Sequence, residues 1–202
     1  MKAIPLLSLV GLLALAAPLT GTAADVEQLA EKCGACHGKD GNSEHDKVPS
    51  IAGMSAVNLV DALTDFQGGD RPASRFKPEG GEETDMKEVT SKLSDADMQA
   101  VSDYFASKTF VPNWQPGDAE QARQGREIFK RSCEKCHSEG GTEADEDVPI
   151  LAGQWKPYLQ RQFDLFSSGE REMTKKMRMR FEKLDDQDLA ALVEYLTGAG
   201  RK

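Results

Sequence analysis

Cys33-Gly34-Ala35-Cys36-His37 decides the reading of this chain, because the same pattern returns 100 residues later as Cys133-Glu134-Lys135-Cys136-His137. The surroundings repeat with it. Val48-Pro49-Ser50-Ile51-Ala52-Gly53 recurs at that offset as Val148-Pro149-Ile150-Leu151-Ala152-Gly153, and Asp65-Phe66 through Asp70-Arg71 is echoed by Leu165-Phe166 through Glu170-Arg171. Further on the offset falls to 91: Leu93-Ser94-Asp95-Ala96-Asp97 matches Leu184-Asp185-Asp186-Gln187-Asp188, and Tyr104 matches Tyr195. A fixed-period repeat of this kind sets the organisation of the whole chain. The first copy carries nine extra residues between Arg71 and Met86, where Pro72, Pro78, Gly80 and Gly81 predict a longer loop.

Two cysteines at i and i+3 of a helical turn point the same way, so two thioether bonds reach the two vinyl groups of one haem. A histidine directly after the second cysteine then places a ring nitrogen on the iron, which makes the motif a c-type haem attachment site. Two other uses of the pattern fit less well. A redox-active pair sits on a thioredoxin-like αβ background, which this sequence lacks. A zinc site wants paired ligand clusters at short spacing, and these clusters are 100 residues apart. Cys33, Cys36, Cys133 and Cys136 are therefore the expected attachment points, and His37 and His137 the first axial ligands.

Methionine opposite histidine suits an electron-transfer haem, because its soft thioether favours ferrous iron and raises the potential. Of the seven methionines, Met54 and Met98 match Gln154 and Leu189 and read as packing residues. Met173 and Met179 fall opposite Glu82 and Glu88. Only Met86 and Met177 match each other, each seven residues before the leucine that opens the final helix of its copy. They are the expected second ligands, with Met173 the competitor in the second copy. Arg71 and Arg171 also recur, and two readings stand: pairing with haem propionates, or surface arginines at a helix end. His45, with Asp145 at the matching position, reads as an exposed loop residue, and the acids Glu139, Glu143, Asp145, Glu146 and Asp147 as a solvated loop.

Regular structure between these motifs reads as helix. Ala56, Leu59, Val60, Leu63 and Phe66 fall at helical spacing, as do Tyr158, Leu159, Gln162, Phe163 and Phe166. Ser94 and Asp185 are good N-caps followed by acids in the first turn. No run of strands is visible, so the class is all-α. Two units follow, 25–108 and 118–202, joined by a proline-marked linker over 109–117 in which Trp114 is expected to pack. Units this small need something besides their own side chains to complete a core, and a porphyrin for Ile51, Phe66, Leu93 and their repeats to pack against supplies it.

Lys2, an apolar heart from Leu6 to Ala17 and small residues at Thr22, Ala23 and Ala24 have the layout of a secretory signal peptide over residues 1–24. The uncharged run is also just long enough for a retained membrane anchor, but Pro5, Gly11 and Pro18 interrupt it. Cleavage after Ala24 removes one base and no acid, taking the net charge from −9 to −10. The expected product is periplasmic, acidic and without stable membrane insertion. Such a balance disfavours nucleic acid as a partner.

Through its whole mature length the chain resembles the two-haem class I cytochromes c of the c4 type, on the Cys-x-x-Cys-His, Pro-x-Ile/Leu-Ala-Gly and Met-to-Leu spacings of both halves. More narrowly, Cys133 through Gly141, Ile150-Leu151-Ala152-Gly153-Gln154-Trp155, Pro157-Tyr158-Leu159-Gln160 and Met173-Thr174-Lys175-Lys176-Met177 resemble the cytochrome subunit of flavocytochrome c sulfide dehydrogenase. The long loop before Met86 departs from the compact c4 pattern. The resemblance implies two tandem cytochrome c domains related by an approximate two-fold, with haem propionates facing each other between them. It also implies that the carbonyls of Pro49 and Pro149, otherwise plain turn residues, hold the ligand histidines. The function implied is electron transfer without catalysis, with a sulfide-oxidising flavoprotein as donor. The alternative is a freestanding carrier delivering electrons to a terminal oxidase. A two-haem peroxidase would need an open iron site, against which the matched methionines argue.

The mature protein is expected to keep two haems per chain after denaturation and acid-acetone extraction. Release of the pigment, or one haem per chain, would refute the attachment reading.

Overall fold

The computed structural model describes residues 23–198, so the predicted leader lies, up to residue 22, outside the described residues. The first unit holds α1 (Ala23–His37), α2 (Ala56–Gly68), α3 (Met86–Thr90) and α4 (Asp95–Ala106). The second holds α5 (Ala119–Ser132), α6 (Ser138–Gly141), α7 (Lys156–Ser167), α8 (Lys175–Phe181) and α9 (Asp186–Leu196), with a 3-10 turn at Asp145–Asp147. Extended pairing among the described residues is confined to one bridge, Phe76 with Thr84. The fold is all-α, as the periodicity predicts.

The helix starts have local causes. Ser94 accepts from the Asp97 backbone N–H while the Asp97 carboxylate accepts from the Ser94 N–H, and Asp185 and Asp188 repeat this reciprocal cap. Ser55 caps α2 through Asn58, and α2 closes on Gly69 in a left-handed conformation. The sequence repeat reappears in hydrogen bonds at the same offsets. Gly41 accepts from the N–H groups of Ile51 and Ala52, as Gly141 does from Leu151 and Ala152. Gly53 donates to Phe105 and Gly153 to Leu196. Both Gly41 and Gly141 take positive φ, 80° and 81°, where a side chain would be strained.

Each unit builds its own cluster. Ala30, Met54, Leu59 and Phe105 form the first, with Ile51 and Tyr104 against it. Ile128, Phe129, Leu159 and the α9 residues Ala191 to Val193, Tyr195 and Leu196 form the second. Met54 and Met98 are buried packing residues, as their lack of a methionine counterpart predicts. Ile150 of the second unit joins the cluster of the first, so the two cores meet.

The junction is specific and polar. Gln154, fully buried, accepts from the Ser50 N–H at 2.9 Å and donates to the Ser50 carbonyl at 2.8 Å. Trp155 Nε1 donates to the Ser43 carbonyl at 2.9 Å, and the Tyr158 N–H to that of Asp46 at 3.2 Å. Ser55 Oγ donates to Asp147 at 2.8 Å, so one member of the acidic loop faces the other unit rather than water alone. The stretch 109–117 is bonded to both sides: the Val111 N–H donates to Asn42, that of Asn113 to Gly153 and that of Gln115 to Thr197. Trp114 lies over Gly198 yet stays 48% exposed, so it packs with one face only.

Two loop readings are corrected. His45 is partly buried rather than exposed, its ring 5.0 Å from that of Phe76. Phe76 belongs to the nine-residue excess, which is a braced hairpin: its bridge to Thr84 sits beside Arg75, ion-paired with Asp85 at 3.3 Å and Glu88 at 2.6 Å. The hairpin has no counterpart in the second unit, so the repeat could not reveal what it covers.

Gly125 lets α5 and α9 touch backbone to backbone, and a Cβ there would clash with the Ala191 carbonyl oxygen. Gly125→Ala is expected to destabilise the holoprotein by about 3 kcal/mol, as overpacking of an unyielding contact does. A denaturant titration following the second unit measures it; an unchanged midpoint would show that the crossing is looser than described.

Candidate haem sites

α1 runs through the first motif, so Cys33, Cys36 and His37 occupy its last turn. His37 is buried, and its Nδ1 lies 2.8 Å from the Pro49 carbonyl. A ring that donates from Nδ1 keeps the Nε2 lone pair free for a metal. Burial pushes the His37 pKa down, against the Pro49 carbonyl, which pulls it up; the charge of Arg71 lowers it further. The imidazole is thus held neutral, the form that ligates iron.

The second motif has the same chemistry on a different backbone. α5 ends at Ser132, and Cys133 to His137 form turns closed by the N–H groups of Cys136 and His137 on the Cys133 carbonyl, both at 3.0 Å. The cysteines still stand one turn apart, although the segment is not the continued helix found in the first unit. Burial lowers the His137 pKa as well, and the Pro149 carbonyl is near enough to oppose it. Nδ1 of His137 nevertheless finds no partner in good hydrogen-bond geometry. The histidine–proline bond is made in the first unit and incomplete in the second.

None of the four cysteines is in a disulfide. Burial pushes the thiols of Cys33 and Cys133 up to about 11. A redox-active pair would need the opposite, a thiol easily ionised. No group of three or more His, Cys, Asp or Glu among the described residues is placed to hold a metal ion. Two thiols and a neutral imidazole on one turn, with a free Nε2, fit a covalently attached haem. A cavity of about 200 Å³ lined by Lys135, Cys136, Ser138 and Asp145 opens beside the second motif.

Met86 is the first residue of α3, capped by Asp85, and Met177 the third of α8, its N–H donating to the cap Thr174. Both are partly buried, as is Met173, which lies before the cap and outside the helix. Arg75, absent from the sequence reading, grips Asp85 and Glu88 on either side of Met86, so the hairpin fixes the segment that carries it. Gln154 was also missed as a supporting residue. The signal was the mismatch with Met54, a polar side chain at a buried position of the repeat. Its Ser50 contacts, with that of Trp155 to Ser43, put Gln154 and Trp155 to work at the junction of the two units. Arg71 and Arg171 each follow shortly after a helix end, α2 and α7, but both are partly buried and both meet Gln162 of α7.

Residues 23–108 match the family model described as cytochrome c, and residues 120–196 the one described as cytochrome C oxidase, cbb3-type, subunit III. Cytochrome c4 of Stutzerimonas stutzeri is 33% identical over 180 residues, 82% of this chain and 83% of that protein. A thiosulfate dehydrogenase electron acceptor of the same species is 26% identical, over 96% of this chain and 95% of its own length. The crystal structure of reduced recombinant cytochrome c4 from Pseudomonas stutzeri superposes with a TM-score of 0.72 at 32% identity, covering 89% of this chain and all of that one.

Met86→Ala and Met177→Ala are each expected to remove roughly half of the far-red sulfur-to-iron band and to lower one haem's potential. Met173→Ala is expected to leave the band intact. The reverse pattern between Met173 and Met177 would overturn the assignment in the second unit.

Proposed function

The chain belongs to the cytochrome c4 family of two-haem electron carriers, and from that premise we propose that it accepts electrons in the periplasm from a dehydrogenase that oxidises reduced sulfur. It carries two covalently bound c-type haems in two cytochrome c domains and is not itself an enzyme. In the proposed assignment, Cys33 and Cys36 hold one haem and Cys133 and Cys136 the other. His37 with Met86, and His137 with Met177, complete the two irons. Each haem supplies a one-electron ferric–ferrous couple. The polypeptide sets its conditions: Pro49 orients the His37 ring, the thioethers of Met86 and Met177 favour the ferrous state, and the two clusters exclude water. We assign residues 25–108 and 118–202 to the two domains, 109–117 to the linker and 1–24 to a cleaved signal peptide. No helix among the described residues is long and apolar enough to cross a membrane.

The observation that carries the sulfur reading is the full-length similarity to a thiosulfate dehydrogenase electron acceptor. A sulfide-oxidising flavoprotein, as in flavocytochrome c, is the donor favoured by the resemblance around Cys133 to Gly141 and Met173 to Met177. A second reading, delivery to a terminal oxidase, draws on the match of residues 120–196 to a cbb3-type oxidase subunit.

The readings differ in salt response. A permanent subunit keeps a short electron path through a fairly apolar contact, so entry from the flavin is expected to change little with ionic strength. A free carrier of net charge near −10 docks transiently on a basic surface, and its rates are expected to fall steeply with salt. Purification of the native periplasmic protein and stopped-flow reduction at two salt concentrations decide. A monomer without a flavoprotein companion and with strongly salt-dependent oxidase kinetics would overturn the sulfide dehydrogenase assignment.

A further inference from the structure

A single peptide group carries hydrogen bonds from both units. His37 Nδ1 donates to the Pro49 carbonyl at 2.8 Å, and the N–H of the same peptide, on Ser50, donates to Gln154 Oε1 at 2.9 Å. Gln154 Nε2 donates in turn to the Ser50 carbonyl at 2.8 Å. These partners fix the orientation of the Gln154 amide, since the reverse would set N–H against N–H. Ser50 and Gln154 are both fully buried, out of reach of bulk water. The backbone behind the side chain is held as well, the Gln154 carbonyl accepting from Gln115 Nε2 at 3.0 Å.

The bonds run in one direction. A peptide whose N–H is donated becomes more polarised, and its carbonyl then accepts more strongly; where the local dielectric is low, such chains reinforce one another. Donation from Gln154 Nε2 strengthens Oε1 in the same way. The chain thus leads from Gln154, through the Pro49–Ser50 peptide, to Nδ1–H of His37. A histidine whose Nδ1–H is drawn toward a stronger acceptor is a more basic ligand. Such a ligand favours ferric iron, which carries the greater charge. The second unit lacks both ends of this chain. Met54 stands where Gln154 does in the repeat, and a thioether is only a weak acceptor. Nδ1 of His137 has no partner in good geometry.

We propose that Gln154 of the second unit is a positioning residue for His37 of the first, and that through the Pro49–Ser50 peptide it lowers the potential of the first haem alone. Docking of the two units thereby sets a redox property of one of them. The proposal rests on the assignment of His37 as an iron ligand.

The test is redox titration of the two-haem holoprotein followed by proton–nitrogen NMR of the histidine rings, in which each haem reports through its own histidine. In the wild type the His37 ring protons are expected to be displaced by the porphyrin ring current; ordinary shifts would overturn the ligand assignment itself, separately from the relay. Gln154→Met conserves volume and installs the residue of the first copy. It is expected to raise the first haem's ferrous-to-ferric ratio at fixed ambient potential about threefold, or about 28 mV for a one-electron couple, and to leave the second haem unchanged. Its His37 Nδ1–H resonance is expected to move upfield, as a weakened hydrogen bond requires. Gln154→Glu keeps an acceptor oxygen for the Ser50 N–H, so the first potential is expected to stay at or below the wild-type value; this variant decides where Gln154→Met fails to mature. Trp155→Phe removes a junction bond to the Ser43 carbonyl, outside this peptide, and is expected to leave both potentials unchanged. A first potential unmoved in Gln154→Met or raised in Gln154→Glu, an unmoved His37 resonance, or a shift in Trp155→Phe as large as in Gln154→Met would each overturn the proposal.

Discussion

The Pro49–Ser50 peptide ties the molecule together. On one side the Pro49 carbonyl accepts from His37 and fixes the imidazole that faces the first iron in our assignment. One residue on, Ser50 has both its N–H and its carbonyl bonded by the buried side chain of Gln154 from the other unit. Orientation of a ligand and docking of two domains are thus made by adjacent backbone groups. A buried amide that lost either Ser50 bond would be left unsatisfied, which is costly in an interior of low polarity. Relative motion of the units is resisted at the same point that holds the ring.

The two halves share a plan but not a chemistry at this point. Position 50 is serine in one copy and isoleucine in the other, and position 54 is methionine where its counterpart is glutamine. A two-fold contact made by identical residues would pair like with like. Here Gln154 meets Ser50 and Ile150 enters the first core, so the junction has one polar and one apolar half. The histidine bonds differ accordingly: His37 is fully held, while Nδ1 of His137 lacks a partner of good geometry. In our assignment, a ring held less firmly, on a turn instead of a helix, would give the second iron a different setting from the first.

Much of this was legible in the residues. The repeat pointed to two units, the N-caps and apolar spacing to α2, α4, α7 and α9, and the Cys-x-x-Cys-His pairs to the cofactor, because covalent attachment imposes a spacing that little else imitates. The Met-to-Leu register selected Met86 and Met177, which both fall in short helices ahead of the last helix of their units. These signals share a cause: each is local, set by bonds and periodicities within a few residues.

What the sequence left open involves residues far apart in the chain. Arg71 and Arg171 read equally as surface groups or anion ligands, and only the folded chain brings them to one oxygen of Gln162. The resemblance of Gly153-Gln154-Trp155 to a partner-binding cytochrome said nothing of Ser43 and Ser50, which lie over 100 residues away and use up those side chains. His45 and the nine-residue excess had no counterpart to be compared with, and only the Phe76 and Arg75 contacts show the hairpin. The sequence by itself determined the all-α class, four of the helices, the repeat and the cofactor, since these depend on local geometry and covalent chemistry. The tertiary structure decided the asymmetry of the junction and the meeting of two like charges, because burial and partner choice are properties of the packed chain.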